Sequence, residues 1–174
     1  MAPPEAAPIY DFRAVAEADL PVIAGWLALP HAAAWWGDPA IEIASIREHV
    51  DSDSVEPLVV ELAGRPVAYL QSYDPHLEED HPYADQPFGT LGIDLVIGPP
   101  ALTGIGHGPA IVTQFTEALF EEGAPRVIAD PHPDNGRAVR AYEKAGFRPL
   151  GERSSHYGRV LLMAIDSPEG DFEE

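Results

Sequence analysis

Residues Gly92–Val112 read GIDLVIGPPALTGIGHGPAIV: an apolar run, a proline pair, glycines at 104, 106 and 108, then the start of an amphipathic segment. Ile93, Val96 and Ile97 around the single acid Asp94 predict a strand. Beyond the glycines, Ile111, Phe115 and Leu119 recur every four residues and mark one buried helix face. Alternating glycines before a helix let backbone N–H groups converge on an anion, where the helix dipole adds to the attraction. A phosphate group is the natural guest of such a loop, and a ligand-free turn is the plainer alternative.

One phosphate motif is excluded by residue identity and a second is only weakly matched. A nucleoside triphosphate loop needs Gly-Lys-Ser/Thr at the helix entry, but Gly108 is followed by Pro109-Ala110. A dinucleotide fingerprint needs G-x-G-x-x-G with an acid ending the next strand, and neither the glycine spacing nor the context fits.

Outward from this loop, the periodicity alternates between two and 3.6. IYDFRAV (9–15) predicts a strand, and Asp19 is expected to cap a helix through Ile23, Trp26 and Leu27 with Pro21 in its first turn. After PHAAAWWGD a second helix is expected over about 39–50, carrying Ile41, Ile43 and Ile46. EPLVVELAGRPVAYLQSYDP (56–75) reads as two strands turning at Ala63-Gly64. An acidic loop, HLEEDHPYADQPFG, leads back to the opening strand. Past the glycine helix, RVIADP (126–131) is a short strand, Asn135 can cap the helix RAVRAYEKAG, and FRPLGE with RVLLMAID forms a last hairpin turning near Tyr157-Gly158. This order predicts one mixed α/β sheet with helices on both faces. A single domain is expected, with a flexible head (1–8) and an acidic tail (167–174).

Composition narrows the partners. The 174 residues include 29 acids and 10 bases for a net charge of −19. Setting aside residues 1–8 and 166–174 still leaves 23 acids against 10 bases. Nucleic acid is therefore excluded as a partner, because it requires clustered Lys and Arg. The acidity fits either a cationic substrate or a solubilising surface. No apolar run is long enough to span a membrane, the N-terminus lacks a signal-peptide pattern and cysteine is absent, so a cytoplasmic protein is expected. The seven histidines include no pair at metal-binding helical spacing, and no metal site is expected.

Two blocks in this order resemble the Gcn5-related N-acetyltransferase (GNAT) family. The family's pyrophosphate loop, Q/R-x-x-G-x-G/A, falls on Thr103-Gly104-Ile105-Gly106-His107-Gly108, and its N-x-x-A-x-x-x-Y-x-K-x-G-F block on Asn135, Ala138, Tyr142, Lys144, Gly146 and Phe147. HAAAWWGD (31–38), VEPLVVELAGRPVAYLQSYDP (55–75), GTLGIDLVIG (89–98) and VIADPHPDNGRAVRAYEKAGF (127–147) look like the aminoglycoside 6'-N-acetyltransferases within it. The siderophore-forming acyltransferases share several of these blocks. The match runs from about residue 12 to 165.

The resemblance implies a mostly antiparallel sheet of about seven strands flanked by about four helices, with splayed strands that bind acetyl-CoA and no metal. It implies that the pantetheine arm pairs with the strand at Asp94, Leu95, Val96 and Ile97, and that the diphosphate sits on the amides from Ile105 to Gly108. Asn135, Ala138, Tyr142 and Lys144 complete the cofactor contacts. Asp94 is the expected ligand and proton acceptor of the attacking amine, and Tyr142 the acid for the leaving thiolate. Trp36, Gln71, Tyr73, Asp94 and Asp130 are expected to bind the acceptor, with Trp35 turned into the core and His107 facing solvent. The expected acceptor is a small cationic amine, an aminoglycoside first, with another amine or hydroxylamine (a siderophore precursor or polyamine) or a non-catalytic acyl-CoA-binding module as the alternatives; a monomer or homodimer is expected. Thr103 replaces the family's Gln or Arg, Pro109 removes an N–H from the helix start, and SSHYG (154–158) replaces a segment that often carries an acidic substrate ligand.

Overall fold

A computed structural model describes residues 8–155 and 158–168. The expected head and tail lie mostly outside these residues, as do His156 and Tyr157 of the last turn. The elements follow in the order β1 (Tyr10–Ala14), α1 (Leu20–Leu27), α2 (Pro30–Ala33), α3 (Pro39–His49), β2 (Val55–Leu62), β3 (Arg65–Tyr73), β4 (Leu91–Ile97), α4 (His107–Glu121), β5 (Arg126–Ala129) and α5 (Gly136–Lys144). A hairpin of β6 (Arg148–Ser155) and β7 (Gly158–Asp166) closes the described chain. The strands form one sheet in the order β1-β2-β3-β4-β5-β7-β6.

The β2–β3 turn follows its sequence signal, with φ of 52° at Ala63 and 79° at Gly64, as a tight two-residue hairpin requires. One core lies beneath α4 and α5, where Ile111, Val112, Phe115 and Tyr142 pack on Leu70, Ile93 and Val127. A second lies beneath the first three helices and joins Ile23, Trp26, Leu27 and Ile46 to Val59, Tyr69 and Val96, and a third gathers Val55, Tyr73, Tyr83, Ile128 and Leu162. Successive residues of β4 therefore serve opposite layers. None of the described helices is long and apolar enough to cross a membrane.

Three local expectations are corrected. Asp19 does not cap α1 with its side chain; it accepts from the Ala16 amide at 2.8 Å and pairs with Arg13 at 2.7 Å, serving the turn before the helix. Ile41 is 70% exposed, and α3 is anchored by Ile46 with Ile43 beside it. PHAA forms the one-turn helix α2. Its geometry decides the orientation of the two tryptophans that follow.

Candidate active site

The decisive feature is a gap in the sheet. All neighbouring strands are antiparallel except β4 and β5, which pair in parallel only through Leu91–Val127 and Gly92–Ile128. Beyond Gly92 the two strands part. The Gly98 amide donates to the Val67 carbonyl on β3 at 2.9 Å, so the carbonyl of the same peptide, that of Ile97, points the other way, into the gap. Alternation along the strand then turns the N–H and C=O of Leu95 to the gap as well, and those of Asp94 and Val96 to β3. The open edge is thus a short row of main-chain groups from Leu95 and Ile97. Val96 does not contribute to it. His31 Nε2 already meets the Ile97 carbonyl at 2.8 Å.

At the head of the gap stand two carboxyls. Asp94 lies opposite Gln71 in the β3–β4 register, and Gln71 Nε2 donates to Asp94 Oδ2 at 2.9 Å. The Tyr69 hydroxyl donates to Gln71 Oε1 at 2.8 Å, fixing the amide and aiming its N–H at the acid. Asp130 follows the last residue of β5 and faces Asp94 across the gap, close enough for each carboxyl to shift the other's ionisation. Burial holds both carboxyls above the usual carboxylate range, and the charge on Asp94 pushes Asp130 further up. Tyr83 Oη donates to Asp130 Oδ2 at 2.8 Å and pulls it back down.

Three more phenols surround the pair. Tyr73 is buried over Gly92, where any Cβ would overlap its ring, so the close approach of β3 and β4 requires glycine. Tyr142, 6% exposed, reaches the acids from α5; burial first, then the charges of Asp94 and Asp130, hold its phenol protonated far above neutral pH. Tyr69 is held up in the same way. His81 stacks on Tyr73, and burial pushes its imidazole down toward the neutral form. Glu42 at the start of α3 adds a third acid near Asp94, raised by burial. The gap therefore presents an excess of half-buried acid to whatever enters it.

At the other end of the gap is the glycine loop. Gly106, with φ of 99°, forms the N-cap of α4, and the Ala110 amide closes the first helical bond to its carbonyl at 3.3 Å. The N–H groups of His107 and Gly108 precede that bond and have no intrahelical partner, as at any helix start. Pro109 occupies a position whose N–H would also lack an intrahelical partner, so it removes little from the helix itself. The Thr103 hydroxyl donates to the Pro100 carbonyl at 2.7 Å and is spent within the turn. The cation beside the loop comes from α5 instead: an Arg137 guanidinium nitrogen lies 3.9 Å from where a Cβ on Gly104 would stand.

The remaining expected residues divide. Gly104 and Ile105 sit on the exposed loop. Asn135 caps α5 by accepting from the Ala138 amide at 3.3 Å, and Ala138 packs into the core beside Tyr142. Lys144 is exposed in the last turn of α5. His107 does not face solvent: it is half-buried, with Nδ1 2.6 Å from the Tyr10 hydroxyl. The tryptophan expectation is reversed for Trp35, which is 43% exposed and lies against His132 with ring centroids 5.5 Å apart. Trp36 turns inward against the ring of Tyr69. In a helical turn residues four apart share a face, and Trp36 follows buried Ala32 by four.

A separate hollow between α1 and α3 is lined by Glu17, Leu20, Ile43 and Arg47. Its arginine is already paired with Glu17 at 2.9 Å. Among the described residues no group of three or more side chains is arranged to hold a metal ion.

A splayed parallel pair, an open strand edge leading to a glycine-capped helix start, and half-buried acids at its head are the arrangement of an acyl-group transferase. The model of the "Acetyltransferase (GNAT) domain" matches residues 15–155. The aminoglycoside N(6')-acetyltransferase type 1 of Klebsiella pneumoniae is 31% identical over 160 residues, spanning 87% of this chain and 80% of that one. The lysine N-acyltransferase MbtK of Mycolicibacterium paratuberculosis is 30% identical over 174 residues, spanning 97% of this chain and 78% of its own. The solved complex of aminoglycoside acetyltransferase AAC(6')-Ib with coenzyme A and kanamycin has a TM-score of 0.81 at 30% identity, over 91% of this chain and 95% of that one. This chain belongs to the GNAT acetyltransferase family.

Proposed function

We propose that the protein transfers an acetyl group from acetyl-CoA to the 6'-amine of an aminoglycoside, in the cytoplasm, where acetyl-CoA is available. The observation that carries this reading is the meeting of Asp94 and Asp130 at the head of the open β4 edge, beside Tyr142. Leu95 and Ile97 offer main-chain partners to the pantetheine arm, and the amides at the start of α4, with Arg137 alongside, accept the diphosphate. An ammonium drawn to the acid pair gives up a proton to Asp94, directly or through water. The neutral amine then attacks the thioester carbonyl, the new N–C bond forms, and the C–S bond breaks. Tyr142 donates its proton to the departing thiolate and is restored by the second proton that the acylated nitrogen gives up, while the proton on Asp94 passes to water. Gln71 orients Asp94 rather than the acceptor, and the tryptophans offer apolar faces to a sugar ring at the mouth.

The similarity to AAC(6')-Ib, solved with kanamycin, supports an aminoglycoside, and the similarity to MbtK supports a lysine side chain as the second reading. Thiol release from acetyl-CoA, measured with kanamycin, N6-hydroxylysine and spermidine in parallel, separates them. Acetylation of kanamycin at the 6'-amine, located by NMR, is expected. Turnover confined to the hydroxylysine or the polyamine would overturn the aminoglycoside assignment.

A further inference from the structure

Asp130 carries an unusual attachment. Tyr83, 3% exposed, lies in the acidic loop between β3 and β4 and donates to Asp130 Oδ2. That loop is fastened from outside by Arg153 of β6, whose guanidinium reaches both Asp85 oxygens at 2.7 and 3.2 Å and the Pro82 carbonyl at 3.1 Å. The same guanidinium lies 5.6 Å from the centre of the Tyr83 ring. From inside, the Tyr83 amide donates to His81 Nδ1 at 3.0 Å, and His81 stacks on Tyr73. The phenol is thus clamped between an arginine and an imidazole, with its hydroxyl committed to one carboxyl.

We infer that Tyr83 is a positioning residue for acceptor binding: its hydroxyl holds Asp130 turned toward the gap, and Arg153 latches the loop that carries it. The inference rests on the reading of Asp130 as an acceptor ligand. The groups facing Asp130 are Asp94 from β4, Tyr73 from β3, Tyr142 from α5 and Tyr83 from the loop. Asp94 opposes the charge on Asp130, and of the three phenols only Tyr83 donates to it among the described hydrogen bonds. That bond favours the ionised form, so without it Asp130 holds its proton to higher pH, and a neutral carboxyl attracts an ammonium poorly.

Tyr83→Phe keeps the ring under Arg153 and removes only the hydroxyl. Its KM for kanamycin is expected to rise roughly tenfold, the scale of a hydrogen bond to a charged group, with KM for acetyl-CoA unchanged. The acid limb of kcat/KM is expected to move to higher pH. Arg153→Met acts through the same contact, so the double variant is expected to bind kanamycin no worse than Tyr83→Phe alone. Independent effects that simply add would overturn the latch. Carbon-13 NMR titration of Asp130 in the acceptor-free protein reads the hydroxyl's role without any acceptor. A higher titration point in Tyr83→Phe supports the inference even if no aminoglycoside is acetylated, in which case only the acceptor assignment falls. An unmoved titration point sinks the inference whatever the acceptor proves to be.

Discussion

On the α4 side of the gap the groups available to a ligand are main-chain amides and carbonyls, supplied by one run of sequence from β4 through the glycine loop. On the other side they are carboxyls, phenols and an amide side chain drawn from β3, the acidic loop, β4, β5 and α5. The first surface tolerates side-chain change wherever the backbone path is kept. The second depends on each side chain and on the neighbours that aim it. A fold built in this way can retain its donor while its acceptor changes, and the relatives fit that division, since one is named for an aminoglycoside and another for lysine.

The largest effect is expected on the side-chain surface. Asp94→Asn keeps the shape and the contact with Gln71 but abolishes the proton acceptor. kcat/KM for the acceptor should fall about a hundredfold or more, the usual contribution of a positioned acid or base, while acetyl-CoA affinity measured by calorimetry stays within twofold, that is, about 0.4 kcal/mol. A comparable loss of acetyl-CoA binding would merge the two surfaces and break the comparison. The wild-type acid limb carries the same logic. Burial raises both carboxyls, so the ionised form is lost as pH falls through a value above the ordinary Asp range of about 4, and kcat/KM should decline there rather than lower.

A smaller and opposite split is expected from Gly106→Val. At φ of 99° an L-residue is strained, by about 1–2 kcal/mol and more for a branched one. The loop should relax away from its present path and acetyl-CoA affinity drop roughly tenfold, with acceptor KM extrapolated to saturating acetyl-CoA little changed. Equal losses in both constants would mean that the glycine supports the fold rather than the anion site.

The two surfaces also differed in how far they could be read from the sequence. The β4–loop–α4 unit is contiguous, and its strand, glycines and helix face were all legible. Asp94 and Asp130 were legible as candidates because each lies at a strand position fixed by alternation or by strand end. Tyr83 and His81 were not, because an acidic loop without periodicity gives no sign of which residue turns inward; only the completed sheet brings Asp130 to it. Tyr69 could have been found, since it stands two residues before Gln71 on the same strand face. Val96 was assigned to the open edge because a list of strand residues ignores which way each peptide points. Trp35 is exposed rather than in the core because α2 is a single turn, too short to show a period, and neighbours that alternate in a strand are only about 100° apart in a helix.

The smallest effect belongs to Arg137, which the sequence offered only as one basic residue on an amphipathic helix. Thr103 occupies the place where the family's loop often carries Gln or Arg, and its hydroxyl is turned back to Pro100. Arg137 brings a guanidinium to Gly104 from the neighbouring helix instead. If the donor surface is chiefly main chain, this charge is an exposed supplement and not the foundation of the site. An exposed ion pair contributes about 1 kcal/mol or less, so Arg137→Gln should weaken acetyl-CoA binding by about fivefold at most. The difference from wild type should shrink as salt is raised from roughly 0.05 to 0.5 M, because screening acts on the guanidinium and not on the short-range amide contacts. A loss of a hundredfold that persists at high salt would make the donor side depend on a side chain after all, and the contrast between the two surfaces would no longer hold.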